Sequence, residues 1–457
     1  MLEQRHLTSP LLRSKPMGGP EFAFAIILVL IALIVFGVPV VIALGLSSFF
    51  GLAYLTGNLN VPGSLLASTA YEALRDYVFA VIPLFILMGE LISRSGAARD
   101  LYSMINRGLK RLPGRLALAT VAGNAVFGSV TGVSIASAAA FSRIAYPQMK
   151  KHNYDKPVAL GCIAGSASLG MLLPPSVLMI VWGVISQQSI GRLFVAGIIP
   201  GMLLTLMLGI FILVYATLRP GKFGDGRDVG AAIDEPDSAQ RTSEALGSLG
   251  VTMLIFVVLG GIWLGVFTPT EAAGIGVLFS VVLAVAKGVG VRGLGEAVLE
   301  TGRISAPLLF LLITAQMYSR LLALGGINDV IQDTLLGIGD APLLILIVMI
   351  LIWFVLGMFI DSTSIILLTV PIFAPLASVI GYDPIAFAII GIVTIEAGLI
   401  TPPLGLCAFT VKAAVKEPDV SLATIFKGSI PYWIILLLLV AIIASFPGLA
   451  TWLPSLM

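Results

Sequence analysis

Residues 22–71 contain no Asp, Glu, Lys or Arg over fifty consecutive positions. A bilayer core is crossed by roughly 20 apolar residues. This stretch therefore predicts two membrane helices folded at Gly37-Val38-Pro39, then a segment returning toward water. Charge-poor stretches recur at 77–89, 116–142, 157–191, 193–218, 245–286, 304–319, 341–382, 384–411 and 428–457. The loops between them set orientation. Residues 94–115 carry six Lys or Arg against Asp100, and residues 148–157 carry Lys150, Lys151 and Lys156 against Asp155. Basic loops face the cytoplasm. A segment flanked by two such loops enters and leaves on one side, so 116–147 reads as a re-entrant hairpin turning near Gly128–Gly132.

Later in the chain the signs reverse. Asp329, Asp333 and Asp340 precede a second hairpin at 341–380, Asp383 follows it, and its turn falls near Gly357–Thr363. Opposite entry faces imply inverted halves, and inversion needs an odd number of crossings in each. Five are counted per half: about 22–38, 39–55, 78–94, 158–185 and 192–218, then 248–266, 269–287, 304–325, 385–411 and 430–453. Residues 56–77 and 288–303 read as amphipathic helices at the two interfaces. The expected fold is an all-α membrane protein of two inverted-topology repeats. A polar tail (1–20) precedes the first repeat (21–218), and a polar cytoplasmic linker (219–247) separates it from the second (248–457). This places the N-terminus outside, against Arg5, Arg13 and Lys15.

The halves also share residues. Gly170-Met-Leu-Leu-Pro-Pro175 and Gly398-Leu-Ile-Thr-Pro-Pro403 lie 228 positions apart. The same offset joins Tyr154-Asp155 to Tyr382-Asp383 and Gly37-Val38 to Gly265-Val266. Paired interruptions of hydrophobic segments are the sequence mark of a transporter's binding site.

Composition narrows the class. Of 457 residues 58% are hydrophobic and 11% charged, with mean hydropathy +1.06; soluble domains carry about 25% charge. A net charge of +2 predicts no nucleic-acid partner. Cys162 and Cys407 are isolated and read as small hydrophobes; His6 and His152 lie in polar segments, so no zinc-type spacing exists. No phosphate-loop motif is present, so this chain does not use ATP directly. A channel would need a continuous polar lining, and an intramembrane enzyme a His, Asp-pair or Cys–His constellation.

The chemistry sits at the interruptions. A Pro-Pro pair removes two N–H donors and frees carbonyls of the preceding turn, and such groups in hydrocarbon must find other partners. Carbonyls and hydroxyls are hard ligands suited to Na⁺. Restarting helices direct positive N-terminal ends at an anion. Two cation sites flanking one anion site are expected. The first takes Ser129, Gly132, Gly170 and Pro174; the second takes Gly357, Asp361, Glu396, Gly398, Thr401 and Pro402. The anion site takes Thr131, Ser134, Ser176, Asp361, Ser362, Thr363 and Arg143. Asp361 and Glu396 are the lone charges of long apolar stretches, and intramembrane carboxylates are functional by default. Asp361 is read as part of the cation or cargo site, and capping a helix that starts at Ser362 is compatible with that role. Glu396 suits a cation ligand, a proton relay or a hydrogen-bonded structural role. Arg143 suits either a cargo carboxylate or the nearby interface.

Phe127-Gly-Ser-Val-Thr-Gly-Val-Ser134, Pro147-Gln-Met149, Leu169–Ser176, Gly357–Asp361, Gly381-Tyr-Asp-Pro384 and Glu396–Gly405 resemble the large membrane subunit of tripartite ATP-independent periplasmic (TRAP) transporters. The resemblance runs from about residue 20 to the end. It departs at Val133, where the family often has Ser, and at Cys407, where it often has Asn. It implies a secondary transporter of the bacterial inner membrane importing organic acids, driven by Na⁺, with no organic cofactor. It further implies a soluble periplasmic (P-type) binding protein, a small four-helix (Q-type) membrane subunit, a lipid surround and an elevator movement. A stand-alone dicarboxylate/Na⁺ symporter of similar architecture is the alternative. Dicarboxylates, keto acids and sugar acids all remain open as cargo.

Overall fold

The computed structural model describes residues 19–224, 238–328, 330 and 342–457. The expected N-terminal tail up to residue 18, the middle of the polar linker (225–237), and Asp329, Asp333 and Asp340 lie outside the described residues. Among the described residues the chain is helical, with one isolated bridge between Tyr154 and Phe223.

The first repeat runs α1 (Pro20–Val35), α2 (Val40–Thr56), α3 (Asn60–Arg75), α4 (Val81–Arg94), α5 (Ala97–Gly108), α6 (Arg115–Thr131) and α7 (Ser134–Lys151). Then come α8 (Lys156–Ser166), α9 (Leu169–Leu172), α10 (Val177–Ser186) and α11 (Ile190–Leu218). The second runs α12 (Ser238–Trp263), α13 (Pro269–Ala286), α14 (Val291–Leu324), α15 (Pro342–Gly357) and α16 (Ser362–Val379). It closes with α17 (Pro384–Leu399), α18 (Leu406–Val415), α19 (Leu422–Ser445) and α20 (Gly448–Thr451). Both orders give five candidate crossings, a helical hairpin (α6–α7, α15–α16) and a broken helix (α8–α10, α17–α18). Seven described helices are long and apolar enough to cross a membrane, and the bent α8–α10 segment, at 42°, makes an eighth.

One expectation is corrected. The interfacial segment 288–303 and the crossing 304–325 form the single helix α14. In the first repeat Asp76 stops α3, capping a short 3₁₀ turn by accepting from the Val78 N–H at 3.0 Å. The position 228 residues on is Ile304, which cannot cap, and the helix runs through.

Contacts divide the chain into two units. One holds α1–α3 and the end of α14. There Phe22 stacks on Tyr54 at 5.6 Å, setting the start of α1 beside the end of α2. Gly51 leaves room for Ile26 and Leu321, whose side chains lie 2.9 Å from where a Cβ would sit. Arg320 pairs with Glu72 at 2.6 Å; as an exposed pair it adds at most about 1 kcal/mol.

The other unit holds both hairpins and both broken helices. Its contacts are reciprocal between repeats. Hairpin α6–α7 meets α8 and α9, as α15–α16 meets α17; α7 packs on α18, as α16 packs on α10; α8 packs on α19, as α17 packs on α11. A two-fold relation between copies produces such an exchange. At the α8–α19 crossing the backbones touch: a Cβ on Gly428 would lie 1.8 Å from the Pro157 carbonyl oxygen. Small residues permit such close approach between membrane helices. On α5 and α13, Asp100 and Lys287 form a largely buried pair at 2.5 Å, with Lys287 also donating to the Ser243 hydroxyl at 2.6 Å.

Two expected outcomes follow from this packing. Gly428→Val should sharply reduce the yield and melting temperature of the purified protein, whereas Gly209→Ala, with nothing within 4 Å, should leave both unchanged. Lys287→Ala strands a buried carboxylate and should cost about 3 kcal/mol, read as a lowered thermal midpoint.

Candidate functional site

The first hairpin turns at Gly132 and Val133. Gly132 adopts φ +63°, a left-handed conformation that favours glycine, and its N–H donates to the Gly128 carbonyl at 2.8 Å. The second turns at 358–361, where Asp361 caps α16. Its Oδ1 accepts from the Ser364 N–H at 3.0 Å and its Oδ2 from the Ser364 hydroxyl at 2.6 Å. The residue 228 positions earlier is Val133, and α7 starts without a side-chain cap.

Each broken helix parts at its Pro-Pro pair, with both Pro-Pro bonds cis. Leu173 leaves α9 in an extended conformation. Ser176 restarts α10, donating to the Met171 carbonyl at 2.6 Å and accepting from the Met179 N–H at 3.4 Å. In the second repeat Gly405, at φ +57°, opens α18. The Thr401 hydroxyl donates back to the Ala397 carbonyl at 2.7 Å.

The hairpin tips close on these breaks. Val177 N–H donates to the Gly132 carbonyl at 3.2 Å, and Leu404 and Gly405 N–H both donate to the Met358 carbonyl at 3.3 Å. Glycine makes the approach possible. A Cβ on Gly128 would sit 2.5 Å from Gly170 Cα, and one on Gly357 would sit 2.9 Å from Gly398 Cα. The residues read as two cation sites therefore gather in two clusters: Gly132 and Gly170 with Pro174 and Ser129, and Gly357 and Gly398 with Thr401 and Pro402. The Ser129 hydroxyl donates to the Val126 carbonyl at 2.8 Å, leaving its lone pairs open.

Glu396 joins the repeats. It is 1% exposed, and its Oε1 accepts from the Ser362 hydroxyl at 2.8 Å. Its Oε2 has no hydrogen-bond partner. The Ser134 hydroxyl, on the other hairpin tip, lies against both Glu396 and the Cys407 thiol without a hydrogen bond of normal geometry. Ser134 and Ser362 are 228 positions apart, so equivalent residues of the two copies meet at one carboxyl group. Thr131, at the end of α6, has its hydroxyl 3.3 Å from the Phe127 carbonyl and 3.4 Å from the Ser137 hydroxyl. Thr363 follows Ser362, nearly buried.

Arg143 is placed apart. It is exposed, nine residues along α7 from Ser134, in a cavity of about 700 Å³ with Tyr146, Lys150, Lys151 and Glu417. Lys150 pairs with Glu417 at 2.5 Å, and Lys156 pairs with Asp419. These hydrogen bonds hold both carboxyl groups below their usual range.

Two participants were not anticipated, and a third, Cys407, is singled out above only as a departure from the family pattern. The Asn124 amide donates to the Ser166 hydroxyl at 2.7 Å, tying α6 to α8 in the core. Ser137 supports Thr131. Cys407, expected as an inert hydrophobe, borders Glu396. A search for neutral polar residues inside charge-free stretches would have found Asn124 and Ser137; no local signal marks Cys407.

A family model described as "Tripartite ATP-independent periplasmic transporter, DctM component" matches residues 27–449. The chain is 32% identical over 409 residues to the C4-dicarboxylate TRAP transporter large permease protein DctM of Pseudomonas aeruginosa, covering 88% of this chain and 93% of that protein. It is 32% identical to the ectoine TRAP transporter large permease protein TeaC of Halomonas elongata over 430 residues, 93% of this chain and 97% of that one. The crystal structure of the YdaH transporter of Alcanivorax borkumensis superposes with a TM-score of 0.59 at 15% identity, covering 87% of this chain and 89% of that one; this likeness concerns the fold. The apolar helices and these relatives make the chain a multi-pass protein of the bacterial inner membrane, and a transport component, not an enzyme. It belongs to the large permease (DctM) family of TRAP transporters.

Proposed function

We propose that this permease imports small organic acids, driven by a Na⁺ gradient. Its cargo comes from a P-type periplasmic binding protein, and a Q-type small membrane subunit braces it. The supporting observation is the pair of helix breaks, each met by a hairpin tip through glycine-to-glycine contact. There the carbonyls around residues 167–170 and 395–398 and the hydroxyls of Ser129, Thr131 and Thr401 supply hard oxygen ligands. The starts of α7, α10, α16 and α18 all lie at the tips and breaks; Ser176 caps α10 and Asp361 caps α16, and the uncapped starts of α7 and α18 favour a carboxylate cargo. The cargo named for one relative is a C4-dicarboxylate and for the other ectoine; both molecules carry a carboxylate. Thr131, Ser134, Ser176, Ser362 and Thr363 are the hydroxyls proposed to receive it. Arg143, standing in the exposed cavity, is assigned to the cargo's exit path. The family resemblance adds hairpins and breaks that travel with the cargo, as in an elevator.

The deciding experiment is uptake into liposomes containing this permease and its companions, across a panel of organic acids. Accumulation should require both an inward Na⁺ gradient and the delivery protein; K⁺ in place of Na⁺ supporting equal uptake would refute the coupling. Asp361 separates cap from charge. Asp361→Asn retains a good capping residue and should preserve the melting temperature while raising the Na⁺ half-saturation about tenfold, roughly 1.4 kcal/mol. Asp361→Ala should lose both uptake and about 1 kcal/mol of helix stability. An unchanged Na⁺ curve in both variants counts against Asp361 as a ligand. Pro402→Ala should likewise shift the Na⁺ titration rather than expression.

A further inference from the structure

The two cation clusters share a backbone plan but not a charge. Offset by 228, Asp361 corresponds to Val133 and Glu396 to Ser168. Residues 116–142 and 157–191, which hold the first hairpin tip and first break, contain no charged residue at all. Both intramembrane carboxylates of the site therefore belong to the second repeat. Their surroundings differ. Asp361 is half-buried, with both oxygens engaged by Ser364 in a helix cap. Glu396 is 1% exposed, with one oxygen held by Ser362 and the other free. The side chains acting on it, Ser362 and Ser134, are neutral, and among the described residues it makes no ion pair. A carboxylate this deep, without a fixed counter-charge, is strongly unfavourable. That cost is removed either by a proton on the carboxyl group or by a diffusible cation beside it.

Resting on the Na⁺-coupled reading above, we infer that Glu396 is the fixed counter-charge of the second-repeat cation site, so that this site fills first and without cargo. Na⁺ there meets the free Oε2, the unpartnered Ser134 hydroxyl and carbonyls liberated at the second break. The ion and this carboxylate neutralise each other, and Asp361 adds a second, partly exposed carboxylate in the same repeat, so no cargo charge is needed to hold the ion. The first-repeat site offers only neutral oxygens from Ser129, Gly132 and Gly170. A cation there keeps its full charge, and the carboxylate cargo neutralises it. Binding at the first site and binding of cargo are thus mutually dependent, as linkage requires, while binding at the second is not.

The test is direct binding of radioactive ²²Na⁺ to the full-length permease, purified in the membrane complex with which it is isolated, in lipid nanodiscs. Without cargo the wild type should bind one saturable Na⁺, and a second should appear when the transported acid is added. Glu396→Gln keeps the volume and one acceptor for Ser362 but loses the charge. It should weaken the cargo-independent event at least tenfold while eluting as the same monodisperse species. Wild-type affinity in Glu396→Gln overturns the inference, pointing to a carboxyl group that holds its own proton. Should the variant fail to fold, the wild-type stoichiometry decides alone: two ions without cargo, or none until cargo is added, overturn the order of filling. No specific Na⁺ binding under any condition, cargo included, defeats instead the underlying reading of Na⁺ coupling.

Discussion

Inside a bilayer no water is available to receive a stray backbone carbonyl or N–H, and this constraint governs the molecule. Each Pro-Pro break releases such groups in the middle of a hydrophobic segment. The structure answers with a hairpin tip pressed onto each break, so that the Gly132 carbonyl receives Val177 N–H and the Met358 carbonyl receives Gly405 N–H. The tips reach that depth only where no side chain intervenes, at Gly128 against Gly170 and Gly357 against Gly398. Donors are largely satisfied in this way, whereas a carbonyl has two lone pairs and can still accept. Surplus acceptor capacity in a glycine-lined space is what the proposed cation sites draw on. The starts of α7 and α18, which no side chain caps, add positive ends that favour an anion.

The features most legible in the sequence were those that backbone geometry imposes on residue type. A break needs Pro, and a tight turn or close approach needs Gly, so the 228-residue offset exposed both broken helices and both tips. Loop charge located the hairpins because 116–147 has basic loops at both ends. Contacts between apolar helices were not legible. That α7 packs on α18 and α16 on α10 depends on shape, and Leu or Ile carries no address for its partner. The meeting of Ser134 with Glu396 follows from that exchange and was hidden for the same reason. Asn124 and Ser166 escaped because attention to formal charge passes over a buried amide and hydroxyl. The running together of 288–303 with the next crossing in α14 turned on one position, where Ile304 stands in the place of the capping Asp76. Arg143 looked close to the first tip in residue number, yet nine residues of helix rise about 1.5 Å each, which carries it well clear of the Ser134–Glu396 contact.

Duplication gives two copies of a scaffold, and what distinguishes them here is charge. The glycines and prolines that shape the breaks are retained in both halves. The side chains that decide how an ion is held are not: Val133 and Ser168 face Asp361 and Glu396 across the pseudo-symmetry. A symmetric pair of sites, each carrying carboxylates like Asp361 and Glu396, would hold its cations without cargo, with nothing electrostatic to draw in an anion. A pair without carboxylates would need to gather two bare cations before cargo, opposed by their mutual repulsion at low dielectric. One charged site and one neutral site avoid both difficulties. On the proposed assignment the first ion is retained by protein and the second by cargo. On the proposed Na⁺-coupled reading, coupling follows from charge placement, because an anion without its accompanying cation, or that cation without the anion, leaves an uncompensated charge in a medium that strongly disfavours it.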